Sequence, residues 1–198
     1  MFDALAEQGY AKLPALLTSS ECREIRELYS QTERFRSRID MKRYRFGQGE
    51  YRYFAYPLPD RIGALRRELY ARLAALANEW KCGVEYPATH EEFLERCTAG
   101  GQLRPTPLLP HYREGDYNCL HQDLSGEVYF PFQVVVALSA QGTEYTGGES
   151  VLVEQQPRAQ SIARVVLSRK VTAQSLRHAT GSAITHAEAG IARTSGMV

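Results

Sequence analysis

The chain has 198 residues, of which 43% are hydrophobic and 24% are charged, and its formal net charge is +1. This length and composition fit one compact domain with a real core, and no apolar run is long enough to span a bilayer, so a membrane-spanning protein is excluded. Because the charge is nearly balanced, composition also argues against nucleic acid or an anionic membrane as a tight partner.

The cysteines indicate a reducing compartment. They are widely spaced, form no CxxC pair, and follow an N-terminus, MFDALAEQGY, that lacks a secretory pattern. Such thiols are typical of small buried or half-buried residues in a cytoplasmic protein rather than of a disulfide framework, so we expect a cytoplasmic location. The four are Cys22, Cys82, Cys97 and Cys119.

The first strong helix signal spans about Ser20 to Thr32. Thr18 and Glu21 have the spacing of an N-terminal cap, and apolar residues then recur at helical intervals.

A basic and aromatic segment follows at residues 35–56, FRSRIDMKRYRFGQGEYRYFAY. It is predicted to form a hairpin of strands Arg38–Phe46 and Glu50–Tyr56 around the turn Gly47-Gln48-Gly49. Two other uses stay open: the surface could stack bases and neutralise phosphates, or one of its arginines could hold a substrate carboxylate in bidentate fashion.

Two more helices are predicted. Leucines at helical spacing from Ile62 onward indicate a long helix that ends near Trp80 and packs on a sheet. A shorter helix from Thr89 to Arg96 begins at a threonine cap, where His90 and Glu91 are expected to be exposed cap residues rather than ligands.

The chemistry of the chain centres on His121-Gln122-Asp123. In an extended segment, residues two apart point the same way, so His121 and Asp123 can reach a single cation while Gln122 turns aside. One imidazole and one carboxylate are two-thirds of the facial triad that binds Fe(II) and leaves positions open for a co-substrate and dioxygen.

Strand and turn signals surround this pair. Three prolines at 105, 107 and 110 lead into an edge or connecting strand. After the pair, FQVVVAL at 132–138 indicates a buried strand, and Val151-Leu152-Val153 indicates another. The consecutive glycines Gly147 and Gly148 between them imply positive φ at one or both positions.

In these features the chain resembles the Fe(II)/2-oxoglutarate-dependent dioxygenase superfamily, in its prolyl-hydroxylase-like branch. The shared features are Tyr112 nine residues before His121, the Gly-Asp-Tyr at 115–117, the HxD pair, and the later Gly-Gly-Glu turn. The likeness covers roughly residues 1–160 and extends to an uncharacterised bacterial group of the superfamily.

The resemblance implies an α+β protein with a double-stranded β-helix (jelly roll) and flanking N-terminal helices. It implies His121 and Asp123 as ligands of Fe(II), 2-oxoglutarate as co-substrate, and Tyr112 as a contact to the oxoglutarate. Asn118 and Gln133 are weaker candidates for polar pocket residues.

After Gln156 the sequence departs from the expected family pattern, so the jelly roll is predicted to be incomplete at its C-terminus. His178 and His186 are candidates for the third ligand and Arg193 for the residue that binds the distal carboxylate of oxoglutarate. None has the family context, and residues 173–198 have little strand character. One hypothesis is a reading frame shifted by one base near codons 157 to 165, which the coding DNA would test.

We therefore expect one domain, 1–198, with a helical and hairpin support region at 1–104, metal-bearing core strands at 105–160 and an atypical tail at 161–198. The leading function is hydroxylation of a small-molecule or peptide substrate by an Fe(II)- and 2-oxoglutarate-dependent oxygenase. The alternatives are an inactive jelly-roll binding protein without the distal ligand and a nucleic-acid-repair oxygenase. The sequence indicates neither the substrate nor the oligomeric state.

Overall fold

The computed structural model describes residues 3–13, 16–81, 84–123, 126–155, 160–166, 172–175 and 183–188, the last two ranges by their backbone alone. Its helices are α1 (Asp3–Gln8), α2 (Ser19–Glu27), α3 (Met41–Tyr44), α4 (Asp60–Glu79) and α5 (His90–Ala99). Its strands are β1 (Tyr10–Lys12), β2 (Phe35–Asp40), β3 (Gly47–Gln48), β4 (Glu50–Phe54), β5 (Leu108–His111), β6 (Tyr117–Asn118), β7 (Phe132–Val135), β8 (Ser150–Gln155), β9 (Ile162–Val166), β10 (Thr172–Ser175) and β11 (Ala183–Glu188).

The strands pair in antiparallel sheets with helices packed beside them. The orders are β1-β10-β7, β11-β8-β9 and β2-β4-β5, and β3 pairs with β6. Because β10 lies between β1 and β7, segments from the two ends of the chain meet in one sheet. This architecture confirms the predicted combination of helices with antiparallel sheet.

The long helix α4 confirms its prediction, since it runs to Glu79 with Trp80 at its C-cap. Its buried face, which includes Tyr70, Leu73 and Ala77, shares a core cluster with Phe132 of β7. Trp80 meets the Phe132 ring edge-on at 5.3 Å between centroids. The helix thus packs against β7 and stabilises its position.

Helices α2 and α5 both begin at capping boxes, as their sequences predict. Thr18 accepts from the Glu21 amide, and Thr89 accepts from the Glu92 amide. The predicted exposure of His90 is wrong, because this residue is only 9% exposed and lies against the Tyr70 ring at 5.5 Å. The first turn of α5 packs on α4, and this burial lowers the pKa of His90.

The predicted pairing of two antiparallel strands in this segment is confirmed, but the connection between them is longer than the expected glycine turn. β2 pairs with β4 from Phe35 opposite Phe54 to Asp40 opposite Glu50. The one-turn helix α3 then begins where the Asp40 carboxylate accepts from the Lys42 amide at 3.1 Å. The intervening β3 leaves the hairpin and pairs with β6.

The strands that precede and follow the HxD pair also form. β5 is an edge strand beside β4, as its prolines predict, and Pro110 lies opposite Tyr51. β7 ends at Val135, three residues before the end of the predicted strand at Leu138. Gly147 and Gly148 have φ values of 77° and 71°, which confirms the predicted left-handed turn before β8.

The prediction that residues 173–198 lack strand character is wrong for the two segments described there. β10 pairs on both sides, with β1 and β7, and β11 pairs with β8. Neighbouring strands supply the hydrogen-bond ladder in each case, and this tertiary pairing outweighs a weak local propensity.

Among the described helices, none combines the length and the apolar character needed to cross a bilayer.

Candidate metal centre

The backbone before the HxD pair is fixed by the short ladder between β3 and β6. Gly47 lies opposite Asn118, and the Cys119 amide donates to the Phe46 carbonyl at 2.7 Å. Gly47 has a φ of 138°, and a Cβ at this position would collide with the Tyr117 carbonyl. Glycine therefore permits the close approach that anchors the chain two residues before His121.

The His121 ring is oriented by the backbone of the same segment. Its Nδ1 lies 2.7 Å from the Cys119 carbonyl oxygen. Since a carbonyl oxygen can only accept, Nδ1 carries the proton and Nε2 carries the lone pair. A hydrogen bond from the ring nitrogen that does not bind the metal is the arrangement by which metal-binding histidines are held in the correct tautomer.

Asp123 lies where a ligand partner of His121 should be. Its Oδ1 is 3.5 Å from His121 Nε2, longer than a hydrogen bond but close enough for one cation to contact both atoms. Its Oδ2 accepts from Gln133 Nε2 at 2.6 Å. The carboxylate is thus held by an amide on β7, while one oxygen faces the imidazole.

The donor types at this site fit Fe(II). An imidazole nitrogen and a carboxylate oxygen are two members of the facial triad, and their side chains are 32% and 42% exposed, so a cation and small co-substrates can reach them. Among the described residues, no group of three His, Cys, Asp or Glu side chains is arranged to hold a metal. The pair requires a further donor.

The candidates for that donor lie in the C-terminal part of the chain. His186 is on β11, opposite Leu152 of β8, and the β11 backbone also passes beside β6. His178 and Arg193, the other predicted site residues of the tail, lie outside the described residues. The strand position of His186 makes it a candidate with a defined backbone close to the segment that carries His121.

Tyr112, the predicted contact to oxoglutarate, lies just after β5 beside Gly49. A Cβ on Gly49 would be 3.1 Å from Tyr112 Cδ1, so the ring packs directly against the glycine backbone. Tyr112 and Asn118 both line the same large cavity as His121, Asp123 and Gln133. Their roles toward a co-substrate stay predictions.

The cavity beside the HxD pair has a volume of about 1690 Å³, which is large for a ligand site. Two tyrosines of β4 line it, Tyr51 and Tyr53, with their rings edge-on at 5.5 Å. Burial raises the pKa of Tyr51 to about 12, with further contributions from Tyr53 and Asp123. Tyr51 is therefore a protonated hydroxyl near Asp123 at neutral pH. The sequence does not assign these two tyrosines to a site, because their strand and the HxD pair are far apart in the chain and only the fold brings them to one cavity.

Three arginines of the basic and aromatic segment have structural partners. Arg38 forms an ion pair with Glu50, and Arg52 lies 4.3 Å from the centre of the Tyr29 ring. Arg36 lies at the same distance from the Tyr53 ring centre. These contacts favour a structural role for these three over the predicted use of an arginine to hold a substrate carboxylate.

Comparisons with known proteins identify the family of the chain. A family model named Oxygenase-NA, described as "Oxygenase, catalysing oxidative methylation of damaged DNA", matches residues 49–185. The match includes β4, the HxD pair, β7, β8 and most of the tail. It overturns the expectation that the family likeness ends near Gln156, because it continues to residue 185.

Two Mycobacterium tuberculosis proteins, MT2286 of strain CDC 1551 and Rv2227 of strain H37Rv, are each 48% identical over 112 residues, 54% of this chain. These residues are 48% of each relative, so the chain spans about half the length of the curated relatives it matches.

A crystal structure of a Pseudomonas putida prolyl-4-hydroxylase has a similar fold. Its TM-score is 0.53 at 13% identity, over 96% of this chain and 90% of that one. At this identity the likeness concerns the fold alone.

Proposed function

Since the chain belongs to the Oxygenase-NA family, and with it to the Fe(II)/2-oxoglutarate-dependent oxygenase superfamily, we propose that it uses Fe(II) and 2-oxoglutarate to oxidise a C–H bond of its substrate. The observation that carries the proposal is the geometry of the HxD pair. His121 presents Nε2 because its Nδ1 donates to Cys119, and Asp123 is held by Gln133. Both are arrangements that orient metal ligands.

Bound iron and 2-oxoglutarate would supply the activation of dioxygen, in which oxoglutarate becomes succinate and carbon dioxide while one oxygen atom enters the C–H bond. The chain would hold the iron through His121 and Asp123. Tyr112 would contact the oxoglutarate, and the half-buried rings of Tyr51 and Tyr53 would limit water near the substrate. The third ligand would come from His186 or His178, and Arg193 is the candidate for the distal carboxylate.

We also propose that the sheets form the two faces of a jelly roll. Two features support this arrangement: the antiparallel order of β8 between β9 and β11, and the pairing of β7 with β10. The fold likeness to a prolyl-4-hydroxylase is a third support.

For the substrate, we favour DNA with damaged bases over the small molecule or peptide that composition suggests. The description of the family names damaged DNA. The exposed aromatic rings of Tyr44 and Phe46, which are 49% and 46% exposed, lie among basic residues beside the site. Overall charge argues against nucleic acid, but binding depends on where the charges lie, and three basic residues, Lys42, Arg43 and Arg45, adjoin these two rings in the sequence.

The test is succinate release by the purified chain with Fe(II), 2-oxoglutarate and dioxygen, with and without single-stranded oligonucleotides that carry N-methylated bases. We expect succinate to form, and its yield to rise with the methylated oligonucleotide but not with the unmethylated one. If neither oligonucleotide increases succinate release, the protein is an oxygenase that acts on another substrate. A protein that neither binds Fe(II) nor releases succinate would instead be the inactive jelly-roll binding protein.

A further inference from the structure

Residues 42–46 form an exposed segment, Lys42-Arg43-Tyr44-Arg45-Phe46, in which every side chain is exposed. The rings of Tyr44 and Phe46 stack on each other, with centroids 5.6 Å apart and an angle of 20° between their planes. We call this segment the aromatic platform. Two stacked rings held at the surface expose π-faces that a third planar ring could cover.

The platform carries three basic side chains, Lys42, Arg43 and Arg45. Within the described part of the chain, the ion pairs of arginine involve Arg26, Arg38 and Arg61, and none involves a residue of the platform. The nearest acidic residue in sequence, Asp40, accepts from the Lys42 backbone amide as the cap of α3. The platform therefore presents three cations next to two stacked rings.

The platform is tied to the metal centre through the backbone. The carbonyl of Phe46 accepts from the Cys119 amide at 2.7 Å, and the Cys119 carbonyl accepts from His121 Nδ1. Arg45 and Phe46 also line the same cavity as His121 and Asp123. A chain that lies on the platform is thus next to the mouth of the cavity.

We propose that the aromatic platform binds single-stranded DNA and directs a nucleotide into the cavity at His121 and Asp123. In this arrangement bases stack on Tyr44 and Phe46, and phosphates lie near Lys42, Arg43 and Arg45. Stacked aromatic rings combined with cations that follow the backbone are the features of sequence-tolerant single-strand binding. A duplex keeps its base faces covered, so the platform should prefer single strands. The proposal deepens the proposed function and rests on it for the choice of DNA.

The experiment measures the affinity of the full chain, without metal, for a fluorescent thymidine oligonucleotide by anisotropy. Tyr44→Ala and Phe46→Ala should each weaken binding by about tenfold, since one stacked base is lost in each case. Leu103→Ala is the matched control, because Leu103 is 65% exposed and far from the platform in sequence. Its affinity should equal that of the wild type.

A second test removes two charges while both rings stay in the chain, although Arg43 also lies 5.8 Å from the centre of the Tyr44 ring. Lys42→Gln together with Arg43→Gln should weaken binding and reduce the slope of log affinity against log salt by about 1.4, because two phosphate contacts are lost at roughly 0.7 each. Arg72→Gln on the exposed face of α4 is the control and should leave the slope unchanged. Melting temperatures of all variants exclude unfolding as the cause.

The proposal is overturned if the wild type does not bind the oligonucleotide at low salt, if it binds duplex DNA or single-stranded RNA more tightly, or if the platform variants bind as the wild type does. Succinate release without DNA, measured on the same preparations, separates this failure from failure of the proposed function. Intact release with no DNA binding rejects the platform alone. Intact DNA binding with no Fe(II) binding or release supports the platform and rejects the oxygenase.

Discussion

At the scale of single residues, the candidate ligands depend on partners that are not ligands themselves. Cys119 contributes only its backbone carbonyl to His121, and Gln133 contributes its amide to Asp123 from β7. Outer partners of this kind set the orientation of a metal ligand and change the affinity of the site when they are removed.

We predict that Gln133→Leu lowers the affinity for Fe(II) by roughly 10- to 100-fold, because the Asp123 carboxylate loses a donor that orients it. Gln122→Leu is the control, since Gln122 is exposed between the two ligands and should bind Fe(II) as the wild type does. Calorimetric titration under anaerobic conditions measures both. Equal affinity in the two variants would show that the Gln133 hydrogen bond does not orient the site.

His111 provides a residue-scale prediction on stability. Its ring lies 5.0 Å from that of Tyr29, and its buried Nδ1 finds no hydrogen-bond partner among the described residues. Burial is the main cause that lowers its pKa below the usual value; Arg113 and Arg52 lower it further, while Glu50 and Asp116 oppose the shift. The folded state therefore resists protonation of this ring.

Because the folded pKa of His111 lies below the unfolded value of about 6.5, its contribution to stability is complete above that pH and is lost as the pH falls through the folded pKa. We predict that His111→Phe shows a smaller loss of unfolding free energy between about pH 7.5 and 5 than the wild type. The variant keeps part of the pH dependence of stability, since the pKa of His90 is lowered as well. Urea unfolding of the wild type and the variant at both pH values tests this prediction. An identical loss of unfolding free energy in the two proteins would contradict it.

The sequence could predict that His121 and Asp123 lie close together, as the structure shows, but it could not predict the groups that orient them. The alternation of side chains in an extended segment is a local property, so it places His121 and Asp123 on one side without any knowledge of the fold. Gln133 could be named only as a weak candidate, because its contact with Asp123 depends on where β7 lies. The Cys119 carbonyl has no signal in the sequence, since any residue can provide one.

At the scale of elements, the turn before β8 shows how backbone geometry restricts the sequence. Gly148 has a φ of 71°, and a Cβ there would lie 2.6 Å from Tyr145 Cε2. Gly142 in the same loop has a φ of 90°, but a Cβ there would meet nothing within 4 Å. The two glycines share a left-handed backbone and differ in the space around it.

We predict that Gly142→Ala lowers the unfolding free energy by about 1–2 kcal/mol through the left-handed backbone alone. Gly148→Ala should lower it further, because the new methyl group also displaces the Tyr145 ring. Thermal unfolding of the two variants gives the comparison. A melting temperature for Gly148→Ala equal to or above that of Gly142→Ala would show that the ring moves at no cost.

Elements with strong local signals were predictable, while those formed by long-range pairing were not. The capping boxes of α2 and α5 and the apolar stripe of α4 are local signals, and all three helices form. The helix α2 ends at Glu27, however, before the predicted end at Thr32, and a 3-10 turn follows at Leu28–Ser30. β10 and β11 have no such signal, because their stability comes from the ladders with β1, β7 and β8. The connection of the β2–β4 hairpin was missed for the same reason, since β3 pairs with a strand some 70 residues away.

At the scale of the whole molecule, the tail completes the sheets that carry the site. β10 lies directly beside β7, the strand of Gln133, and β11 lies beside β8 and β6. A shifted reading frame after about residue 157 stays a hypothesis that would explain the unusual composition of the tail. The tail nevertheless supplies described strands on both sides of the proposed jelly roll.

We predict that His186→Ala lowers Fe(II) affinity by at least tenfold while His178→Ala leaves it within about twofold, because His186 lies on the paired strand β11, which holds a ligand with little further loss of entropy. The same anaerobic titration measures both variants. The reverse order would assign the third ligand to His178. No effect of either variant would favour the inactive binding protein.

The central claim is that His121 and Asp123 hold an iron ion, and Fe(II) affinity of the full chain tests it most directly. His121→Ala and Asp123→Ala should each abolish tight binding, because the loss of one ligand leaves too few donors for a weakly bound divalent ion. Glu114→Ala, which removes an exposed carboxylate from the loop before β6, should bind as the wild type does. Equal Fe(II) affinity in the wild type and in both ligand variants would contradict the site.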